Sequence, residues 1–374
     1  MTVRITKKPY VPPRITTLTK DQLLTAGQLY FGFSANLNRG TLELRERLLL
    51  SEHAWPSARS LGRQQPITED SRTIYARDCD RILYMKHFAA LAGKTQVLSF
   101  PRSPLIHNRR FHVDKVAGVA RDIGRRLGLN EDLIEAISKG HDLGHPPFGH
   151  DGEKALSRHA QRLLGQPFRH NRHSLRVVDV LENKNLTAEV RNGILCHCGE
   201  QLDEVLKPGK VPADPSRMSD AEMPYTLEGC VVRSTDIIVY LAHDYLDALN
   251  MSIVKPEDLP VVVQQVLGTD PDDMIGIMVA DLVAASRGKH YITLSDRMLE
   301  ARQAFFRFDY ERIIGSELVQ SACAFIPDII DTLFDYYNAH LGHDPQSTID
   351  RIASLTDRQA RDKYNEIRRK RTAE

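Results

Sequence analysis

The sequence lacks the features of secreted and membrane-spanning proteins. Its five cysteines are odd in number and include no CxxC pair, which argues against a disulfide framework or a thiolate zinc site and favours a reducing compartment. No apolar run approaches the roughly 18 residues of a membrane span, and the densest one, residues 274–285, is interrupted by Asp281. The first ten residues contain no apolar stretch of the kind found in signal peptides. We therefore expect a soluble, cytoplasmic protein that does not bind membranes.

An excess of charge of one sign is also missing. Fifty Lys and Arg residues stand against 49 Asp and Glu residues, and the net charge is +1. This balance disfavours a protein that binds nucleic acid mainly through electrostatics. The tail of residues 357–374 does carry a basic run at 368–371, and a solvated helix end explains that run more simply than a specific anion site. The length of 374 residues admits two or three average domains or one large helical unit.

Strand patterns are scarce, and the best candidate, residues 95–100, ends at Pro101. Helical spacing of apolar residues is common, as between Val113 and Leu127, where arginines occupy the intervening positions. We therefore predict an all-α fold with at most a short β-hairpin. Proline and glycine make residues 207–224 a long excursion between helices. Further helices are predicted at residues 151–164, 175–181 and 231–249.

Capping residues divide the middle of the chain. Gly128 ends the helix of residues 113–127, and Asn130 is an N-cap for the next helix. That second helix runs towards His141 and must stop near Gly144, because two prolines follow. The residues that follow the helix, from His141 onwards, are therefore predicted to form a tight turn.

Histidine carries most of the chemical information. The chain has 15 histidines, and several lie in the stretch His141-Asp142-Leu-Gly-His145-Pro-Pro-Phe-Gly-His150-Asp-Gly-Glu153. An adjacent His–Asp pair at a helix end offers an imidazole nitrogen and a carboxylate oxygen to one point in space. Such mixed ligands suit Mn, Fe, Co, Zn or Mg.

This stretch and several others resemble the dGTP triphosphohydrolase family, within the HD-domain metal phosphohydrolases. The motifs follow the family order over about residues 70–250, so the resemblance implies an HD-domain helical bundle with additional C-terminal helices. We expect an N-terminal extension at 1–69, a catalytic core at 70–250 and a C-terminal helical region packed on it at 251–374. The other matching stretches are Arg72-Thr73 to Arg81-Ile82, Lys94-Thr95-Gln96-Val97, Asn108-Arg109-Arg110-Phe111-His112, Phe168-x-His170-Asn171 to Val178, Gly193-Ile194-Leu195-x-His197 and Val231 to Asp244.

The resemblance places one divalent metal ion on His112, His141, Asp142 and Asp236. Two imidazoles and two carboxylates leave coordination positions open for water and phosphate, as a catalytic site requires. The expected ion is Mn, Fe, Co, Zn or Ni, with Mg as another candidate.

Four further residues are implied as catalytic, namely His145, His150, Glu153 and His170. Glu153 would lie in the first helical turn after Asp151, where it can orient His150 as a general acid or base. His170 matches a family histidine that contacts the phosphates.

Three residues are implied to bind substrate. Arg109 resembles a phosphate-contacting arginine, which would use its planar donors. Tyr240 and Asp244 follow Asp236 at four-residue spacing, so the three share one helix face, although Tyr240 could instead fill the core. His173 is expected at the surface, and the motif residue His197 receives no role.

The sequence thus favours hydrolysis of a deoxynucleoside triphosphate, dGTP or a broader set, to a deoxynucleoside and triphosphate. The alternatives are another HD-domain phosphohydrolase (a nucleotidase or a phosphodiesterase) and a non-catalytic regulator that binds nucleotide or nucleic acid. Family resemblance implies a homo-oligomer, a hexamer or tetramer, with a nucleotide effector or single-stranded nucleic acid as further partners. Ala89 and Ala90 replace an Arg-Arg pair of the family, which predicts broader base selectivity.

Overall fold

The computed structural model describes residues 38–96, 107–198, 204–211, 219 and 223–373, and these residues form a predominantly helical protein. Short 3₁₀ or π segments (57–59, 91–93, 177–181, 256–258 and 309–314) connect several of the helices. The all-α prediction is confirmed. The helices are α1 Arg39–Leu49, α2 Ile74–Leu83, α3 Lys86–Ala90, α4 Arg109–Leu127, α5 Glu131–Gly140, α6 Gly149–Leu164, α7 His170–Arg176, α8 Ala188–Leu195, α9 Leu227–Asn250, α10 Val261–Leu267, α11 Pro271–Ser286, α12 Asp296–Phe308, α13 Glu317–Cys323, α14 Ile326–His340, α15 Pro345–Ala353 and α16 Asp357–Ala373.

Helix α5 is the centre of the bundle. It packs against α2, α4, α8 and α9, which bury it from several sides. Its apolar residues Leu133, Ile134, Ala136 and Ile137 are all inaccessible to solvent. The C-terminal end of α5, where the His–Asp pair follows, is therefore fixed from several directions.

The helix ends follow the predicted capping residues. Helix α4 ends at Leu127, and Gly128 adopts the left-handed conformation, with a φ of 67°. The Asn130 side chain then accepts hydrogen bonds from the backbone N–H groups of Asp132 and Leu133, which begins α5. Helix α5 ends at Gly140, before the two prolines. These local predictions are confirmed.

The small sheet differs from the predicted hairpin. Strand β1 (Val205–Leu206) pairs antiparallel with β2 (Ile292–Thr293), far apart in sequence, with Val205 opposite Thr293. The candidate strand at 95–100 contributes a single bridge, from Thr95 to Asn108, and its residues 97–100 lie outside the described part of the chain. This strand prediction was wrong in its described part, because the segment turns to contact the start of α4 instead of pairing with a neighbouring strand.

The C-terminal helices pack on the preceding helices of the bundle. Helix α14 packs against α6, α15 and α16, and Ile330, Leu333 and Ile352 belong to one continuous apolar core with the residues of α4 and α5. The division of the chain at residues 69/70 and 250/251 stays a prediction.

Within the described ranges, every single helix is too short or too polar to span a membrane. One bent pair, Asp296–Ile314 with Glu317–His340, meets the length and composition criteria jointly, with a bend of 58°.

Candidate metal and phosphohydrolase site

The four predicted metal ligands come from three parts of the bundle. His112, His141 and Asp236 form one convergent group, and Asp142 lies beside His141. Asn108 caps α4 by accepting a hydrogen bond from Phe111 N–H, which places His112 in the first turn of that helix. His112 Nε2 lies 2.8 Å from Asp236 Oδ1 on α9. His141 Nε2 lies 3.7 Å from the same oxygen and 3.6 Å from Asp142 Oδ2. Atoms bound to one ion at about 2.0–2.2 Å stand roughly 3–3.6 Å apart, so this spacing fits a shared cation.

The orientation of His141 also fits a metal ligand. Its Nδ1 atom donates a hydrogen bond to the backbone oxygen of Ser138, at 2.7 Å. This leaves Nε2 as the lone-pair atom, and Nε2 is buried without a hydrogen-bond partner. Burial lowers the pKa of His141 to about 4, so the ring is neutral at pH 7. A neutral imidazole held through its other nitrogen is the usual state of a histidine that binds metal.

Asp142 is held in place by Arg109. Arg109 Nη1 donates to Asp142 Oδ2 at 2.7 Å, and Nη2 donates to the backbone oxygen of Gln96 at 2.8 Å. Both side chains are almost fully buried. Although burial opposes ionisation, His141 and Arg109 hold the pKa of Asp142 well below its usual range. Arg109, predicted to contact substrate, therefore contacts a predicted metal ligand in this structure.

A tight turn after Asp142 brings the second group of histidines close. Ser174 Oγ donates to the backbone oxygen of His141 at 2.7 Å and accepts from Gly144 N–H at 2.8 Å. At Gly144 an added Cβ would lie 2.1 Å from the backbone nitrogen of Ser174, so only glycine fits there. Helix α7 can therefore approach closely, and the rings of His145 and His170 stack with their centroids 3.9 Å apart.

Glu153 has a different partner from the one predicted. It accepts hydrogen bonds from the backbone N–H of His170 at 2.7 Å and from His170 Nδ1 at 3.0 Å. A nitrogen of His150 lies within 4.8 Å of a Glu153 oxygen, but the hydrogen bonds hold His170 instead. His150 itself is exposed at the surface, whereas His145 is buried.

Two residues at this site were missed by sequence reasoning. His197 Nε2 lies 3.3 Å from His170 Nε2, and Cys198 Sγ lies 3.0 Å from the same nitrogen. His197 belonged to a matching motif, which was the available signal, whereas a cysteine outside a CxxC pair gave none. Although burial favours the neutral thiol, His170 and His197 lower the pKa of Cys198 to about 7.

The predicted substrate residues lie on α9, one and two helical turns after Asp236. Tyr240 is half-buried, whereas Asp244 is buried, with its Oδ2 atom lacking a hydrogen-bond partner. Burial and the nearby carboxyl of Asp309 raise the pKa of Asp244 well above its usual range. A neutral Asp244 can donate a hydrogen bond as well as accept one.

Lys94, from the Lys-Thr-Gln-Val motif, also supports the site. Its Nζ atom donates to the backbone oxygens of His145 at 2.5 Å and Ala353 at 2.7 Å. Asp357, at the start of α16, accepts from Phe148 N–H at 2.9 Å, and Phe148 adopts a φ of 65°. The turn that holds the histidines is thus tied to the C-terminal helices.

The prediction that His173 lies at the surface was wrong. His173 is 4% exposed, and its Nδ1 atom lies 3.8 Å from Asp350 Oδ1 on α15. His173 has no position in the family motif, and the helix that covers it is distant in sequence, so no sequence pattern indicated its burial.

Comparison with known proteins shows the family of this chain. The model of the HD domain family matches residues 109–241, which include all four predicted metal ligands. A deoxyguanosinetriphosphate triphosphohydrolase-like protein from Caldanaerobacter subterraneus is 38% identical over 88% of this chain and 95% of its own length. A protein of the same name from Desulfatibacillum aliphaticivorans is 37% identical over 88% of this chain and 97% of its own length.

A solved structure of a hypothetical protein from Aquifex aeolicus matches 76% of this chain and 67% of its own, with 16% identity and a TM-score of 0.46. That likeness is too distant to support an argument about function. The sequence relatives and the HD domain match are much stronger. The chain belongs to the deoxyguanosinetriphosphate triphosphohydrolase-like family of HD-domain phosphohydrolases.

Proposed function

We propose that this protein hydrolyses deoxynucleoside triphosphates to a deoxynucleoside and intact triphosphate, with one divalent ion bound at the HD residues. The observation that carries the proposal is the bare Nε2 atom of His141, buried between the carboxylates of Asp142 and Asp236. A nitrogen lone pair facing two carboxylates, with no proton donor between them, supports a cation at that point.

His112, His141, Asp142 and Asp236 would hold this ion. Nitrogen and oxygen ligands of this kind suit Mn, Fe, Co, Zn or Ni, and Mg as well. When bound, such an ion polarises a phosphoryl oxygen and lowers the pKa of a bound water molecule.

The neighbouring histidines supply proton transfer and phosphate contacts. His150 is the proposed general acid or base, because it is exposed at the surface next to the buried His145 and lies near Glu153. His145 and His170 would contact the phosphates. The Glu153 carboxylate fixes the ring of His170 through Nδ1, which directs Nε2 towards Asp142 Oδ1, 4.0 Å away.

Tyr240 and Asp244 are proposed to contact the rest of the nucleotide. They lie one and two helical turns after Asp236 on α9, on the same face. The unpartnered oxygen of Asp244 supports a polar contact with substrate. The predicted phosphate contact of Arg109 stays a proposal, beside its observed bond to Asp142.

We also propose broad base selectivity, together with a cytoplasmic homo-oligomer, a hexamer or tetramer, that a nucleotide effector or single-stranded nucleic acid regulates. The selectivity proposal rests on Ala89 and Ala90, which lie on α3 with Ala89 exposed and Ala90 half-buried.

The decisive experiment incubates metal-free protein with each of the four dNTPs, with and without Mn²⁺ or Mg²⁺, and follows the products by phosphorus NMR. We expect metal-dependent release of triphosphate. Release of orthophosphate or pyrophosphate would contradict the proposed cleavage, and activity on monophosphates or diesters alone would favour the other phosphohydrolase classes. A preference for dGTP beyond about a hundredfold, roughly 2.7 kcal/mol, would contradict broad selectivity.

Two variants test the assigned roles. We expect His150→Ala to keep the metal and lose about a hundredfold or more in activity, the usual scale for a general acid or base. Asp142→Ala should instead lose the metal, as measured by elemental analysis. Near-normal turnover of the first variant or undiminished metal in the second would contradict the assignment.

A further inference from the structure

Beside the HD ligands lies a second convergent group, formed by His170, His197 and Cys198, which we call the thiol cluster. The Cys198 Sγ atom lies 3.0 Å from His170 Nε2 and 3.2 Å from His197 Nε2. The two Nε2 atoms lie 3.3 Å apart. Three potential ligand atoms from two parts of the chain therefore surround one point.

The Nδ1 atom of each imidazole ring is already engaged in hydrogen bonding. His197 Nδ1 lies 2.7 Å from the backbone oxygen of Ile194, which can only accept a hydrogen bond, so Nδ1 carries a proton. His170 Nδ1 lies 3.0 Å from both oxygens of Glu153, which is the carboxylate–histidine pairing common behind metal ligands. The two Nε2 atoms therefore face each other and the sulfur. A positive charge at this point, supplied by a proton on His170 or by a metal ion, satisfies all three atoms.

The distances fit a metal ion. Zinc binds sulfur at about 2.3 Å and nitrogen at about 2.0–2.1 Å, and tetrahedral geometry then separates the ligand atoms by roughly 3.3–3.6 Å. The observed separations of 3.0, 3.2 and 3.3 Å lie at or just below the lower limit of this range. A thiolate with two imidazoles favours a thiophilic ion over Mg²⁺ or Mn²⁺. We propose that the thiol cluster binds a second metal ion, Zn²⁺ or a similar borderline-soft cation, with three protein ligands.

This site is distinct from the HD site but adjoins it. None of its three ligands belongs to the predicted HD set, yet the His141 and His197 ring centroids lie 4.9 Å apart and Asp142 Oδ1 lies 4.0 Å from His170 Nε2. Three protein ligands leave a fourth position for water or a substrate oxygen. A bound ion would take the lone pair of His170 Nε2 and so replace the direct phosphate contact proposed for that atom, but a chain with either phosphohydrolase activity or none could hold this ion.

Cobalt provides the test, because only a thiolate ligand gives Co²⁺ an intense near-ultraviolet charge-transfer band. Full-length protein is freed of metal with a chelator, titrated with Co²⁺, and analysed for bound metal by mass spectrometry. We expect two equivalents per chain and the thiolate band in the wild type. Cys198→Ser should lose the band and one equivalent, whereas Asp236→Asn should weaken the other equivalent and keep the band.

Cys196→Ser is the matched control, because Cys196 is a buried cysteine two residues away, and it should behave as the wild type does. Circular dichroism verifies that each variant is folded. His170→Gln provides a second variant, which should also lose the band. A wild type that binds one equivalent without the band, or a Cys198→Ser variant that keeps it, would overturn the proposal. Neither result would bear on dNTP hydrolysis, which is measured separately.

Discussion

The Arg109→Met substitution distinguishes two roles for Arg109, namely positioning Asp142 and contacting phosphate. Arg109 is 1% exposed and donates to Asp142 Oδ2 at 2.7 Å and to the backbone oxygen of Gln96 at 2.8 Å. Removing one partner of a buried ion pair costs about 3–5 kcal/mol, because the remaining charge stays buried. We therefore expect the metal-free Arg109→Met protein to lose free energy of unfolding on that scale, as measured by urea denaturation.

The next residue in the chain provides a matched control. Arg110 Nε donates to Asp114 Oδ2 at 3.1 Å, but the two side chains are 36% and 44% exposed. Its guanidinium also lies 3.9 Å from the centroid of the Phe88 ring. Exposed ion pairs and cation–π contacts contribute little, so Arg110→Met should cost about 1 kcal/mol or less. Equal losses in the two variants would refute the argument from burial.

Metal affinity and steady-state kinetics also distinguish a positioning role of Arg109 from a phosphate contact. If Arg109 positions Asp142, its removal should weaken metal binding about 10–100-fold, the usual effect of losing a partner of a metal ligand. A chelator competition assay measures this affinity. If Arg109 contacts phosphate instead, KM should rise at saturating metal while stability and metal affinity stay close to those of Arg110→Met. That second pattern would refute a positioning role.

Three further predictions concern the turn between α5 and α6 and the contacts that α6 and α7 make around it. Gly144→Ala should yield little folded protein, because the new Cβ would lie 2.4 Å from the backbone oxygen of His170. Gly118→Ala is the control, because nothing lies within 4 Å of its added Cβ. It should raise the free energy of unfolding by about 0.5–1 kcal/mol. Ser174→Ala removes hydrogen bonds to His141 and Gly144 and should cost about 1–3 kcal/mol in urea denaturation. For Glu153, burial opposes ionisation, but His170 lowers the pKa to about 2. Its ionised form therefore stabilises the metal-free fold above pH 4.5, and this contribution is lost as the pH falls towards 2. Glu153→Gln should therefore reduce the fall in the free energy of unfolding between pH 4.5 and 2. An unchanged fall in that range would contradict the prediction.

Local signals in the sequence predicted much of the fold. The apolar spacing between Val113 and Leu127 and the caps at Gly128 and Asn130 involve neighbouring residues, so pattern and structure agree closely. The His–Asp pair, fixed by the end of α5, was predictable for the same reason.

Partners that are distant in sequence were not predictable. Lys94 and Ala353 lie 259 positions apart, and Arg109 and Asp142 lie 33 apart. Whether an arginine contacts substrate or a carboxylate depends on how the helices pack, and residue spacing alone does not contain that information. The bond from Glu153 to His170 instead of His150 was missed for the same reason.

The hydrogen bonds from Lys94 to Ala353 and from Phe148 to Asp357 have a consequence for biosynthesis. The His–Asp turn leaves the ribosome roughly 200 residues before Asp357 does, an interval of about 10–40 s at ordinary elongation rates. During that time the nascent bundle can form α4 and α5, but its histidine-bearing turn lacks two of its anchors. A ribosome-bound chain stalled before residue 353 should therefore expose this turn to protease, and the site should mature only when the last helices emerge.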